Sequence, residues 1–190
     1  MPSRKLERPI RFHRFALSGH CHRVELMLSL LELPFEAIDV NLPSGEQKRP
    51  EFLALNPFGQ VPVIEDGALA LADSNAILVY LAQQYGGSRF RLESAAEIAE
   101  QQRWFSIAAG PLAMGPAAAR ALTVFRRQGD VAGAQSRAHA LLQVMDAHLA
   151  GRPFLIGREL SLADIANYAY VAHAPEGGVG LDDYSHLRAW

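Results

Sequence analysis

The first forty residues contain the feature that most restricts the fold: a strand, a helix and a second strand in immediate succession. The apolar run Ile10–Leu17 indicates a strand, and apolar residues then recur at helical spacing from Val24 to Leu31. Leu33-Pro34 ends this helix, because proline cannot continue the hydrogen-bond ladder, and Phe35–Val40 is a second strand. A βαβ unit of this length predicts two parallel strands joined by a right-handed crossover.

The remainder of the N-terminal half completes a small α/β domain. An Asp-Gly pair at 66–67 is a strong hairpin signal, and the chain has helix-starting residues on either side of that hairpin. The predicted elements are a short helix (Pro50–Leu55), two hairpin strands (Val61–Ile64 and Leu69–Ala72) and a helix from Asp73-Ser74 to Gly86-Gly87.

Beyond residue 93, apolar residues recur only at helical spacing. Two segments fit capping boxes, Ser94 with Glu97 and Ser161 with Asp164. Further helices are predicted over 117–127 and 131–149, and the pairs Gly110-Pro111 and Gly115-Pro116 are expected to break the helix that starts at Ser94. The sequence therefore predicts an α/β domain over 1–86, a linker over 87–93 and an all-helical domain over 94–190.

Composition excludes several classes of function. The 18 basic and 20 acidic residues are well mixed, so neither a nucleic-acid nor a membrane-surface partner is predicted. The basic segment Met1–Lys5 leads into Arg11, His13 and Arg14 rather than an apolar core, which argues against a signal peptide, and no run approaches a membrane span. A single cysteine excludes an internal disulfide and a cysteine-based metal cluster. We expect a cytoplasmic protein with no metal.

The hexapeptide Ser18-Gly19-His20-Cys21-His22-Arg23 lies where the first strand gives way to the first helix. Ser18 is placed either to cap the helix or to act on a ligand beside its free N–H groups, which attract anions. Cys21 follows at the spacing of a dithiol oxidoreductase, but the first position is a hydroxyl, so no disulfide can form within the motif. A small buried side chain is the favoured interpretation of Cys21, with a redox thiol as the alternative.

The other three side chains of the hexapeptide have simpler interpretations. His20 and His22 do not share a helix face, so they are not predicted to bind a metal. We expect His20 to line a polar pocket, His22 to be solvated, and Arg23 to make a structural bond beneath the site.

Two further stretches carry polar groups suited to a ligand. In Gln60-Val61-Pro62, a proline starts a strand, and a cis Val61–Pro62 bond would turn the Val61 backbone toward an extended peptide; a trans edge proline is the alternative. Asp73-Ser74 offers a carboxylate and a hydroxyl at a helix start, which suit an ammonium and a carboxylate group.

In combination these motifs resemble the glutathione transferase family, specifically the serine-type cytosolic enzymes of bacteria. The resemblance covers nearly the whole chain: Ser18 with Arg23, Lys48-Arg49-Pro50, "NPFGQVPV" at 56–63, "LADSNAILVYLA" at 71–82 and "GRELSLADI" at 157–165. It implies a thioredoxin-like N-terminal domain, an all-helical C-terminal domain, a homodimer, and glutathione as co-substrate. Family members usually continue past a position equivalent to Leu187–Trp190, where this chain ends shortly after a helix begins.

The resemblance also assigns residues to the tripeptide. Ser18 matches the catalytic serine whose hydroxyl hydrogen-bonds the glutathione sulfur. The implied glutathione contacts are Val61 with cis-Pro62 (cysteinyl backbone), Asp73 and Ser74 (γ-glutamyl group, where the family more often has Glu than Asp), Lys48 and Gln47 (glycyl carboxylate), and Gln60 (the adjoining backbone). The predicted reaction is conjugation of the glutathione thiolate to a small hydrophobic electrophile.

A pocket for that electrophile is expected between the two domains. Its candidate lining residues are Leu17, His20, Trp104, Ile107, Ala108 and Pro111. Plain helical core is the alternative for these residues, and for Trp104 and Phe105 it is the favoured interpretation. Two other functions remain open: a glutathione-dependent thiol reductase or peroxidase that uses Cys21, and a non-catalytic protein that has kept the fold.

Overall fold

The structure is a computed structural model that describes residues 8–190. The chain divides into two compact units, the first ending at Arg91 and the second spanning Leu92–Trp190. The segment Met1–Lys5, which bears on the signal-peptide prediction, lies outside the described residues.

The first unit is a four-stranded mixed sheet with helices. In chain order its elements are β1 (Ile10–Arg14), α1 (Gly19–Leu30), β2 (Phe35–Asp39), a 3-10 turn (Glu46–Lys48), α2 (Pro50–Leu55), β3 (Val63–Asp66), β4 (Leu69–Ala72) and α3 (Ser74–Tyr85). The strand order is β2-β1-β3-β4, with β1 parallel to β2 and antiparallel to β3. This confirms the predicted βαβ-α-ββα order and the thioredoxin-like fold.

Strand bounds differ from the prediction at four ends. β2 ends at Asp39 instead of Val40, β3 ends at Asp66 instead of Ile64, and the other two differences lie beside the predicted site. β1 ends at Arg14 instead of Leu17, because the chain turns there and the Ser18 N–H donates to the Phe15 carbonyl at 2.9 Å. β3 begins at Val63 instead of Val61, and Pro62 just before it has no N–H to offer a strand ladder. As a result, the backbone just before α1 and just before β3 is irregular, and its N–H and C=O groups are available to a ligand.

Both faces of the sheet are covered by apolar side chains. Val40, Phe52 and Val63 form a cluster beneath α2. Ile10 and Phe12 of β1 are fully buried, as are the inward residues Val24, Met27 and Leu28 of α1 and Ile77, Leu78 and Leu81 of α3. Burial of these side chains fixes α1 and α3, which carry the predicted Ser18 and Asp73-Ser74 positions at their starts.

The second unit is helical. Its helices are α4 (Ala95–Ala109), α5 (Ala118–Val124), α6 (Val131–Leu149), α7 (Leu162–Ala172) and α8 (Ser185–Ala189), with a π-helical segment at Ala113–Ala117 and a 3-10 turn at Ala174–Gly177. Both predicted capping boxes are confirmed, Ser94 with Glu97 and Ser161 with Asp164.

The predicted break is confirmed at the first Gly-Pro pair and wrong at the second. α4 ends at Ala109, and its C-cap Gly110 has non-helical dihedrals (φ −109°, ψ −95°), whereas Gly115-Pro116 does not interrupt the helical backbone. The Met114 N–H donates to the Gly110 carbonyl at 2.9 Å, and the π-helical segment, which contains Pro116, leads directly into α5. A π-turn accommodates a residue that would interrupt a regular helix. A Cβ on Gly115 would lie 2.9 Å from the backbone N of Ala138, so the glycine permits a close approach of α6.

The expectation that no run approaches the length of a membrane span is also corrected. Within residues 8–190, the helical run Ala95–Val124 is long and apolar enough to cross a membrane by length and composition alone. The core helix of a soluble protein passes the same test, and Trp104, Phe105 and Ala108 of this run are buried.

Candidate active site

A cavity of about 520 Å³ opens at the starts of α1, β3 and α3 in the first unit. Its volume lies in the range of small-molecule sites, about 300–1,000 Å³. It is lined by His20, Leu55, Asn56, Pro57, Phe58, Gln60, Val61, Pro62, Ala72, Asp73 and Ser74. The fold therefore brings five of the predicted glutathione-binding residues to one cavity, although they are separated by up to fourteen positions in sequence.

Ser18 is the N-cap of α1, two residues before the cavity-lining His20. Its backbone is extended (φ −83°, ψ 120°), and its Oγ accepts a hydrogen bond from the Cys21 N–H at 3.3 Å. That bond uses an oxygen lone pair, so the hydroxyl proton can be donated to an anion outside the helix. The positive end of the α1 dipole favours negative charge at the same place. Ser18 thus caps the helix and is also placed to donate a hydrogen bond to an anion.

Cys21 lies inside the first unit, on the buried side of α1. Its side chain is 1% exposed, and its Sγ accepts from the Phe15 N–H at 3.4 Å. Burial raises the pKa of the Cys21 thiol, and this effect outweighs the hydrogen bonds from Phe15 and Ser18. The thiol is therefore protonated at neutral pH and poorly suited to nucleophilic attack.

Arg23 links α1 to the start of α3 from below the cavity. Its side chain is 1% exposed, and its Nη1 donates to Ser74 Oγ at 3.0 Å and to Asn75 Oδ1 at 2.7 Å. This is the structural bond predicted for Arg23. A buried guanidinium held by two acceptors fixes the helix start that carries Ser74.

His20 lies on the other side of Ser74, with its Nδ1 3.3 Å from Ser74 Oγ. Burial, with a smaller contribution from the charge of Arg23, lowers the pKa of His20 to about 4 against the opposing charge of Asp73. The imidazole is consequently neutral at physiological pH. His22 is partly buried rather than fully solvated as predicted, because its position on α1 turns it toward the protein.

Asp73 is the N-cap of α3 and has an unusual backbone conformation for a residue with a side chain, φ 70° and ψ 120°. Its Oδ1 accepts from the N–H groups of Asn75 and Ala76, each at 2.9 Å. The carboxylate is exposed at the cavity wall, so its charge can also attract a cationic group.

Asn56 shapes the loop before β3 and is the site residue that sequence reasoning missed. It is 4% exposed; its Nδ2 donates to the Gln60 carbonyl at 2.8 Å, and its Oδ1 accepts from the Phe58 N–H at 3.1 Å. The Asn-Pro dipeptide signalled only a turn. The Val61–Pro62 peptide that follows is cis.

The predicted contacts for the glycyl carboxylate lie against the same loop. Lys48 is exposed, and its Nζ donates to the Phe58 carbonyl at 3.0 Å, while Gln47 is partly buried. Gly59 has φ 59°, and a Cβ there would meet the Gln47 carbonyl oxygen and Lys48 Nζ at 2.7 Å each. This turn therefore requires glycine to keep Lys48 beside the loop.

Of the other residues predicted for the electrophile pocket, one lies in the first unit and the rest lie in the second. Leu17 is 48% exposed beside Ser18. Trp104 and Ala108 are buried core residues of the helical unit: the Asn167 Nδ2 donates to the Trp104 carbonyl at 3.3 Å, and the Trp104 and His148 rings meet edge to face. Phe105 is also buried, Ile107 is partly exposed and Pro111 is exposed. Within residues 8–190, no three His, Cys, Asp or Glu side chains form a group that could hold a metal ion.

Comparison with known proteins places this geometry in a family. Residues 17–84 match the glutathione S-transferase N-terminal domain, and residues 103–190 match the glutathione S-transferase C-terminal domain. Glutathione S-transferase 3 of Zea mays is 34% identical over 201 residues, covering 96% of this chain and 87% of that protein. A glutathione S-transferase structure from Pseudomonas fluorescens Pf-5 is 32% identical with a TM-score of 0.90, covering 96% of this chain and 92% of that one.

A second Pseudomonas fluorescens Pf-5 structure, a glutathione transferase family member with two glutathione bound, is 29% identical with a TM-score of 0.82. It covers 94% of this chain and 85% of that one. The two domain matches together span most of the sequence, and they agree with the sheet order and the helical unit described above. The chain therefore belongs to the glutathione S-transferase family, a family of transferases.

Proposed function

We propose that this protein conjugates the thiolate of glutathione to a small hydrophobic electrophile. The observation that carries the proposal is one cavity that is lined both by the Val61–Pro62 backbone and by the Asp73-Ser74 helix start. His20, which follows the N-cap Ser18 by two residues on α1, lines the same cavity. A related structure of the same fold contains bound glutathione.

The cavity suggests one orientation for the tripeptide. The γ-glutamyl ammonium would lie near the exposed Asp73 carboxylate, and the γ-glutamyl carboxylate at the Ser74 end of α3, where the helix dipole is positive. The cysteinyl backbone would pair with Val61, and the glycyl carboxylate would reach Lys48 and Gln47, with Gln60 on the adjoining backbone.

In the reaction, the Ser18 hydroxyl would donate a hydrogen bond to the glutathione sulfur. A free thiol has a pKa near ~8.5. A hydrogen bond to a charged group contributes about 1.5–3 kcal/mol and a helix N-terminus about 0.3–1 kcal/mol, which together favour loss of the thiol proton to solvent near neutral pH. The thiolate electron pair then forms a C–S bond to the electrophilic carbon, which releases its leaving group or takes up a proton. Leu17, exposed beside Ser18, is the apolar side chain that we propose contacts the electrophile.

Two measurements on the purified protein test this function. Retention on glutathione-agarose followed by elution with free glutathione tests binding, and conjugation of chlorodinitrobenzene tests transfer. Binding with conjugation supports the proposal. Binding without any conjugation would support the non-catalytic alternative, and a protein that neither binds nor conjugates would contradict the proposal.

A glutathione-dependent reductase that uses Cys21 is the competing function. The 1% exposure and the raised pKa of Cys21 disfavour it, because a reductase cysteine must be an accessible thiolate.

We therefore expect Cys21→Ala to keep kcat/KM for conjugation within about twofold of wild type, a barrier change of under ~0.5 kcal/mol. Steady-state kinetics measures this, and thermal unfolding of the same variant monitors the packing lost at Cys21. A Cys21–glutathione mixed disulfide seen by mass spectrometry, together with disulfide reductase activity that Cys21→Ala abolishes, would reverse the assignment.

We also propose that the protein is a cytoplasmic homodimer. Large apolar side chains remain exposed on the single chain, among them Phe58 at 79% and Val144 at 65%, as expected where surfaces are covered by a partner. Light scattering during size-exclusion chromatography should give about twice the 20.8 kDa chain mass. A mass equal to one chain across micromolar concentrations would contradict the dimer.

A further inference from the structure

Three side chains, those of Arg23, Ser74 and His20, meet at the start of α3. Arg23 Nη1 lies 3.0 Å from Ser74 Oγ, and His20 Nδ1 lies 3.3 Å from the same oxygen on another side. A guanidinium can only donate hydrogen bonds, so Arg23 occupies a lone pair of Ser74 Oγ. With the guanidinium on one lone pair, the hydroxyl proton of Ser74 is available for donation to His20 Nδ1.

This arrangement requires a neutral imidazole with an unprotonated Nδ1. Two charged groups face His20: Arg23 from its own helix and Asp73 from the start of α3. Burial and Arg23 outweigh Asp73 and hold the pKa of His20 at about 4. The neutral ring carries one proton, and with that proton on Nε2 the Nδ1 atom is an acceptor at physiological pH.

We propose that His20 is a positioning residue of the glutathione site, which acts by accepting the Ser74 hydroxyl proton and holding Ser74 in one rotamer together with Arg23. Ser74 is 5% exposed and lines the cavity, so its orientation is set before any ligand arrives. A pre-ordered Ser74 costs the γ-glutamyl carboxylate less entropy on binding. The inference rests on the proposed glutathione function and adds to it a residue first assigned to the electrophile pocket.

The test compares three variants at His20. His20→Phe removes the acceptor but keeps a ring, His20→Asn places a carbonyl oxygen near the Nδ1 position, and His20→Gln extends the amide toward the Nε2 position. We expect His20→Phe and His20→Gln to raise the KM and Kd for glutathione by about 2- to 13-fold, the range of one hydrogen bond. We expect kcat at saturating glutathione to change by less than about twofold, and His20→Asn to restore most of the affinity.

The pH dependence of binding tests whether His20 is neutral in the site. Because His20 stays neutral well below pH 7, the wild-type Kd for S-methylglutathione, whose blocked sulfur has no proton to lose, should be constant from about pH 7.5 to 5.5, measured by isothermal titration. A step in Kd near ~6.5, the ordinary pKa of histidine, that is absent in His20→Asn would show a protonated partner and overturn the inference.

Other outcomes also separate the two levels of the proposal. A wild-type protein that binds no glutathione contradicts the proposed function itself. A wild-type protein that binds, with a His20→Phe variant of equal affinity, contradicts only the role of His20. Tighter binding by His20→Phe would mean that His20 competes with the ligand for the Ser74 proton. An equal fall in kcat and in glutathione affinity would indicate that the site is distorted. Either result overturns the inference.

Discussion

Replacing Ser18 with alanine is expected to lower kcat for conjugation by about 10- to 150-fold, because the lost hydrogen bond to the thiolate contributes about 1.5–3 kcal/mol. The affinity for glutathione should change far less, since the cavity contacts at Val61, Asp73 and Ser74 remain. Steady-state kinetics and calorimetric titration measure the two quantities. The pKa of the bound glutathione thiol, followed by its thiolate absorbance, should rise toward that of free glutathione.

Ser18 also caps α1, so the variant needs a control for helix stability. Loss of an N-cap side chain costs about 1 kcal/mol and lowers the melting temperature without altering thiol ionisation. Ser18→Thr keeps a hydroxyl for both roles and should recover most of kcat. An alanine variant with normal kcat and normal thiolate ionisation would show that Ser18 is only a cap.

The second large effect is on stability. Asp164→Ala is expected to reduce the free energy of unfolding by about 3–5 kcal/mol, because one buried carboxylate accepts four hydrogen bonds and its removal leaves buried donors unpaired. The donors are the Leu155 N–H (2.8 Å), the Ser161 N–H (2.9 Å), the Ser161 Oγ–H (2.6 Å) and the Trp190 Nε1–H (2.8 Å). Asp164 itself is 2% exposed.

Chemical and thermal unfolding followed by circular dichroism measure this loss, with an expected fall in Tm of about 6–20 °C for a chain of this size. All variants must be compared at one protein concentration, because association would stabilise the folded chain. Trp190→Phe removes a single donor and keeps the carboxylate, so it should destabilise the protein much less. A melting temperature of Asp164→Ala within a degree of wild type would contradict this account of the carboxylate.

Much of the fold was predictable because it depends on neighbouring residues. The strand Leu69–Ala72 and the helix Val131–Leu149 have the bounds that their sequence signals predict, and the boxes at Ser94 and Ser161 form as expected. Turn and cap preferences are exerted within four residues, so they survive in any tertiary context. The prediction failed at Gly115-Pro116, where the chain widens into a π-turn and Gly115 approaches α6, a contact between distant segments.

The sequence by itself determined the order of elements, the family, and the location of Ser18 at a helix start, because these follow from local patterns along the chain. The tertiary structure alone decided what surrounds those residues. Arg23 and His20 meet Ser74 across more than fifty residues, and Asn56 bonds the loop that precedes Pro62. Burial decided that Cys21 is a protonated core thiol and that His20 is neutral, since desolvation depends on packing that no local pattern encodes.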